Sequence, residues 1–155
     1  ALIKLGLLPG GHIEMLTADH PTLTYNTIGR HLSRMVNTKV ISTKSPWMSD
    51  AKAGEIYTVP ISHGEGRFIA SPQQVLEFNK TGQIATQYVD FDGIASMDSR
   101  FNPNQSVAAI EGIYSPDGRV FGKMAHSERC GAGISKNIYG QLEMPIFTSG
   151  VKYFK

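Results

Sequence analysis

Apolar and polar positions alternate in several stretches of this chain. Leu23-Thr24-Tyr25-Asn26-Thr27 and Met35-Val36-Asn37-Thr38-Lys39-Val40-Ile41 keep a period of two and are rich in β-branched residues, which predicts strands. Glu55-Ile56-Tyr57-Thr58-Val59-Pro60-Ile61 predicts a third, running straight into the polar, glycine-rich Ser62-His63-Gly64-Glu65-Gly66-Arg67-Phe68. Residues 83–90 read as a fourth strand. Residues 107–114 and 119–124 read as two more, joined through Ser115-Pro116-Asp117-Gly118, a turn of the Asp-Gly type.

Helical signals are fewer. Residues 2–8 read as the end of a helix, stopped by Pro9-Gly10-Gly11. Ser71 as N-cap and Pro72 at the first helical position open a short helix through Asn79, which Gly82 ends. Ser45-Pro46-Trp47 is a turn, and residues 145–154 carry apolar side chains at helical spacing, predicting a C-terminal helix packed on the sheet. The mixture indicates one α/β domain over residues 1–155, with functional residues at strand ends. The apolar run at Ala1-Leu2-Ile3 has neither an N-cap nor a basic region before it, so Ala1 is expected to be a boundary inside a longer domain rather than a natural start.

Composition narrows the partners. Fifteen basic against thirteen acidic residues give a net charge of about +2 with no basic block, so nucleic acid is not an expected partner. No apolar stretch approaches membrane-spanning length, and no membrane partner is expected. The single cysteine, Cys130, rules out an internal disulfide and fits a reducing compartment such as the cytoplasm. Neither a CxxC pattern nor an HExxH motif occurs, so no metal site is expected.

Two clusters carry chemistry. Gly122-Lys123-Met124-Ala125-His126-Ser127-Glu128-Arg129 follows the hairpin-like run and sets an imidazole and a carboxylate two residues apart. At an extended strand end, positions i and i+2 point the same way, so His126 and Glu128 are expected to reach one site as a base and its orienting acid. The plainer reading is a solvated pair in a surface loop. The second cluster is His63-Gly64-Glu65-Gly66-Arg67, where two glycines allow close backbone approach and ionisable groups gather at a strand end. A tight turn with solvated charges is its plainer reading. Cys130 is a poor nucleophile for His126: it sits four residues beyond in a loop, with no strand-turn-helix elbow around it.

Residues 60–68, Gln87-Tyr88-Val89-Asp90, Asn102-Pro103-Asn104-Gln105-Ser106, Ile110-Glu111-Gly112-Ile113 and residues 117–129, in this order and spacing, resemble one family. It is the glutaminase domain of phosphoribosylformylglycinamidine synthase, a class I glutamine amidotransferase of purine biosynthesis. The His-Ser-Glu-Arg form resembles the long single-chain type. The resemblance implies a flavodoxin-like three-layer sandwich, with the first strands and a cysteine-bearing nucleophile elbow lying upstream of Ala1. It implies that His126 is the triad base and Glu128 its acid. It also implies that Ser33, Arg34 and Met35 border bound glutamine on a strand edge, and that His63 and Glu65 border the same pocket.

The implied reaction hydrolyses glutamine and hands ammonia to a synthetase domain of the same polypeptide. ATP and Mg²⁺ would belong to that domain, with no cofactor on this segment. The 155 residues alone are expected to be inactive. A bare sheet edge left by the missing strands would favour a homodimer. The alternatives are a non-catalytic amidotransferase-like binding or interface module and, behind it, a triad hydrolase of another kind.

Overall fold

The computed structural model describes residues 1–131 and 133–155. Seven strands and two helices occur in the order β1 Thr22–Thr24, β2 Leu32–Val40, β3 Ile56–His63, β4 Arg67–Ile69, α1 Pro72–Lys80, β5 Ile84–Tyr88, β6 Ile110–Tyr114, β7 Phe121–Lys123 and α2 Ile146–Tyr153. Five of the strands form one sheet in the order β3-β2-β5-β6-β7, with every neighbour antiparallel. β1 and β4 make a separate two-stranded ladder.

The sheet curls until its ends meet. Ala125, just past β7, bridges to Ile61 of β3, and the His126 N–H donates to the Pro60 carbonyl at 2.8 Å. A second segment covers the same strand where the Thr58 N–H donates to the Gln141 carbonyl at 2.8 Å. The bare edge expected from the sequence is therefore not found along this part of β3.

β5 and β6 are buried on both faces and separate two apolar clusters. Val36, Val40, Tyr57, Val59, Ile61, Tyr88 and Tyr114 fill one, closed by Met144 and Ile146 at the start of α2. Ile3, Leu8, Phe68, Ile84, Ile110 and Ile113 fill the other, where α1 inserts Phe78. A helix on each side of the sheet gives the three layers expected.

The α1 start is the predicted one. The Ser71 side chain accepts from the Gln74 N–H, and the Gln74 side chain accepts in return from the Ser71 N–H. α2 packs mainly on the Pro46–Met48 turn, where Gly150 lies against the Trp47 ring, and reaches the core of the sheet through Ile146, rather than lying on the sheet as expected.

Three sequence expectations need correction. Residues 2–8 form turns, with Gly6 at φ +80 ending the single helical turn closed by Leu5 N–H to Ala1 O. Val107–Ala109 is a 3₁₀ turn rather than strand, because Ala108 and Ala109 both take the left-handed conformation. The strand expected over residues 23–27 stops at Thr24, since Asn26 turns inward to bind the neighbouring loop.

Candidate active site

β7 ends at Lys123, and the chain then passes beside β3 into a 3₁₀ turn at Ser127–Arg129. The turn brings Glu128 back over the preceding residue, where its Oε1 lies 2.6 Å from His126 Nδ1. The expected pair is present, but the reason given by strand geometry is not the operative one. His126 has φ −95 and ψ 85 and the next three residues are helical, so the turn, not an extended strand end, aligns the two side chains.

A carboxylate can only accept, so Nδ1 carries the hydrogen, and whenever the ring is neutral the lone pair is on Nε2. Nε2 has no protein hydrogen-bond partner among the described residues. Partial burial raises the Glu128 carboxyl. Its own backbone N–H, the His126 bond and the His126 and Arg129 charges outweigh that and hold it below the ordinary carboxylate value. The pair is thus an acceptor nitrogen backed by a carboxylate, the arrangement of a general base.

His63 closes β3 nearby. Burial pushes its imidazole below the ordinary value, helped by the positive charges His126 and His31 would carry and opposed by its own backbone bond and Glu111. Its ring lies against Gly66, where an added Cβ would stand 2.0 Å from a ring carbon. Asn104 Nδ2 lies 3.4 Å from His63 Nε2 and donates to the Tyr88 hydroxyl at 2.7 Å. His63 Nδ1 and Asn104 Oδ1 are buried with no partner among the described residues.

Asn26 holds this loop in place. Its amide nitrogen donates to the His63 carbonyl at 2.8 Å and the Arg30 carbonyl at 3.2 Å, and its oxygen accepts from Gly66 N–H at 3.1 Å. Sequence reasoning assigned Asn26 to a strand and gave it no role. An asparagine in a threonine-rich run carries no signal for this; only the tertiary contact does.

The remaining expected residues lie at different distances from the pair. Met35 is registered opposite Pro60, whose carbonyl receives the His126 N–H, so these three follow one another across adjacent segments. Ser33 and Arg34 pair with Ser62 and Ile61 and are exposed. On its other side β2 pairs with β5 only through Thr38–Val40, which leaves its outer edge at residues 32–36 without a strand among the described residues. Glu65 is exposed in the loop. A groove of about 750 Å³ includes Arg34, Met35, Asn37 and Thr58 and is walled by Phe91 and Tyr139. Neither His63 nor His126 lines it, so the pair lies outside this groove.

Residues 1–154 match the family model of the CobB/CobQ-like glutamine amidotransferase domain, and the chain belongs to that family. Its α/β fold is that of the class I amidotransferases. Among curated relatives it is similar to phosphoribosylformylglycinamidine synthase subunit PurQ of Treponema denticola, at 41% identity over 82% of this chain and 51% of the relative. The PurQ subunit of Aquifex aeolicus is 31% identical over 86% of this chain and 53% of its own. Among solved structures, PurLQS from Thermotoga maritima superposes with a TM-score of 0.68 at 26% identity, covering 99% of this chain and 57% of that one. The chain spans about half the length of the curated relatives it matches.

Proposed function

We propose that this chain forms the base-bearing part of a glutaminase that serves phosphoribosylformylglycinamidine synthesis. The carrying observation is the His126 Nδ1–Glu128 Oε1 contact of 2.6 Å with Nε2 left to accept a proton, within a glutamine amidotransferase family member.

In the reaction, His126 Nε2 takes the proton of a cysteine thiol and the thiolate adds to the side-chain amide carbon of glutamine. The imidazolium then returns the proton to the departing nitrogen as ammonia leaves, and water hydrolyses the γ-glutamyl thioester to glutamate. Glu128 fixes the tautomer and offsets the charge that forms on the ring.

The thiol comes from outside these residues. Cys130 is the only cysteine, burial raises its thiol above the ordinary value, and it makes no bond to His126 among the described residues. The isolated chain is therefore inactive. Ser33, Arg34 and Met35 offer glutamine the free edge of β2, while His63 and Glu65 border the pocket from the neighbouring loop. Ammonia passes to a synthetase domain of the same polypeptide, where ATP and Mg²⁺ act, and the whole enzyme works in the cytoplasm. The isolated chain forms a homodimer.

The deciding assay measures ammonia release from glutamine by the complete parent protein and by residues 1–155 alone. Activity in the first and none in the second supports the reading. Activity in the second that disappears with Cys130→Ser would overturn the upstream thiol.

A further inference from the structure

Ile110-Glu111-Gly112-Ile113-Tyr114 is an apolar strand with a carboxylate in its middle. Glu111 is 2% exposed, and its side chain is wholly buried. A charge in such a place is strongly destabilising unless every lone pair is used. Here one oxygen is used on the segment after β7 and the other on β5. Oε1 accepts from the Met124 N–H at 3.0 Å and the Ala125 N–H at 2.7 Å, and lies 3.4 Å from Lys123 Nζ. Oε2 accepts from the Thr86 hydroxyl at 2.5 Å.

Lys123 continues the same structure outward. Its ammonium donates to the Ala125 carbonyl at 3.2 Å and to Ser127 Oγ at 3.1 Å. Between them the two residues bind every position from 124 to 127 except His126 itself, which β3 holds through Pro60. β7 has ended at Lys123, and past it the backbone is held only by separate pairings, the Met124 N–H to the Glu111 carbonyl at 3.1 Å and the Ala125–Ile61 bridge, rather than by a continued ladder. The buried pair takes its place just where the chain leaves the sheet and turns.

We infer that Glu111 and Lys123 are positioning residues for His126, a buried ion pair that clamps the backbone on both sides of the imidazole and so holds it over Glu128. The pair touches no substrate. Its importance for catalysis rests on the glutaminase reading, but its effect on the ring does not. Glu128 bonds the ring from its own turn, and His63 of β3 lies close enough for charges on the two rings to interact.

The test is ¹⁵N imidazole spectroscopy and amide exchange on the 155-residue chain, comparing wild type, Glu111→Gln, Lys123→Met and Glu128→Gln. In wild type His126 occupies a single Nδ1–H tautomer. In Glu111→Gln, which keeps the shape and loses the charge, the ring populates both tautomers. The Ala125 amide then exchanges about tenfold faster or more, the effect of weakening a charge-assisted bond, while the Met124 amide, which also donates to the Glu111 backbone carbonyl, changes less. The His12 and His20 rings, outside this cluster, stay unchanged as an internal control of folding. A folded Glu111→Gln with an unaltered His126 ring overturns the inference. If that variant does not fold, Lys123→Met decides alike: it removes the contacts to Ala125 and Ser127 while leaving Glu111 three other donors, and an unaltered ring again overturns it. A moved ring in a protein whose full-length parent lacks glutaminase activity would retain the clamp and discard only the reaction.

Discussion

The His63 imidazole occupies the space that a side chain on Gly66 would need. A Cβ there would meet three ring atoms within 2.7 Å, so the glycine is required by a neighbour rather than by its own backbone angles. Gly64, two residues earlier, has open space where a methyl group would stand, with nothing within 4 Å. The two glycines of one loop therefore answer to different demands. Gly66→Ala is expected to destabilise the chain by about 1–3 kcal/mol through overpacking, and Gly64→Ala by less than about 0.5 kcal/mol. Urea denaturation of both variants checks the contrast; equal losses would refute it.

Asn26 ties the same loop to the start of β2 with three hydrogen bonds. Asn26→Ala leaves two carbonyls and one N–H without that partner, two of them beside a buried ring. A loss of roughly 2–3 kcal/mol follows from orphaned polar groups. The measurement is the denaturation midpoint at constant slope, together with a displaced His63 signal in the NMR spectrum.

Burial lowers the pKa of His63 in the folded protein, and a positive charge on His126 or His31 would lower it further. The unfolded chain protonates the same ring near the ordinary value of about 6.5. Below that pH the unfolded state binds a proton that the native state refuses, so stability falls as pH drops from about 6.5 and is fully present above it. His63→Gln should flatten the stability profile just below pH 6.5. A slope in that window identical to wild type would show that His63 does not carry it.

Glu128 is more than half exposed, so its ion pair with His126 contributes little to stability, about 0–1 kcal/mol. Its effect on chemistry is expected to be far larger. In Glu128→Gln the amide nitrogen can donate to Nδ1 and move the ring hydrogen to Nε2, the wrong side for accepting a thiol proton. Glutaminase kcat of the complete enzyme should fall about 10²–10⁴-fold while the melting temperature hardly moves. A parallel loss of both would make Glu128 a structural residue.

How much could be read from the chain alone varied with the range of the interaction. Ser71, Pro72 and Gln74 specify a helix start by local bonding, and Asp117-Gly118 a tight reversal, with Gly118 at φ +75; both were legible. The His126–Glu128 pair was legible as a composition, but its geometry comes from a 3₁₀ turn that two-residue spacing cannot distinguish from a strand end. Ala108 and Ala109 adopt left-handed angles that no alanine advertises. Asn26 and Asn104 act through partners 37 and 41 positions away, beyond any local pattern. Glu111 did leave a trace: a lone carboxylate inside Ile-Glu-Gly-Ile-Tyr is costly without a purpose.

The bridge from Ala125 to Ile61 joins segments that lie far apart along the chain, with β4, α1, β5, β6 and β7 between them. Contacts of such long sequence separation close late, after the intervening elements have found their places. The imidazole is thus the product of a completed ring rather than of any one segment. A nascent or misregistered chain could form the local His126–Glu128 turn, but it would not yet set that turn beside β3, where the folded protein holds it through Pro60 and Ile61.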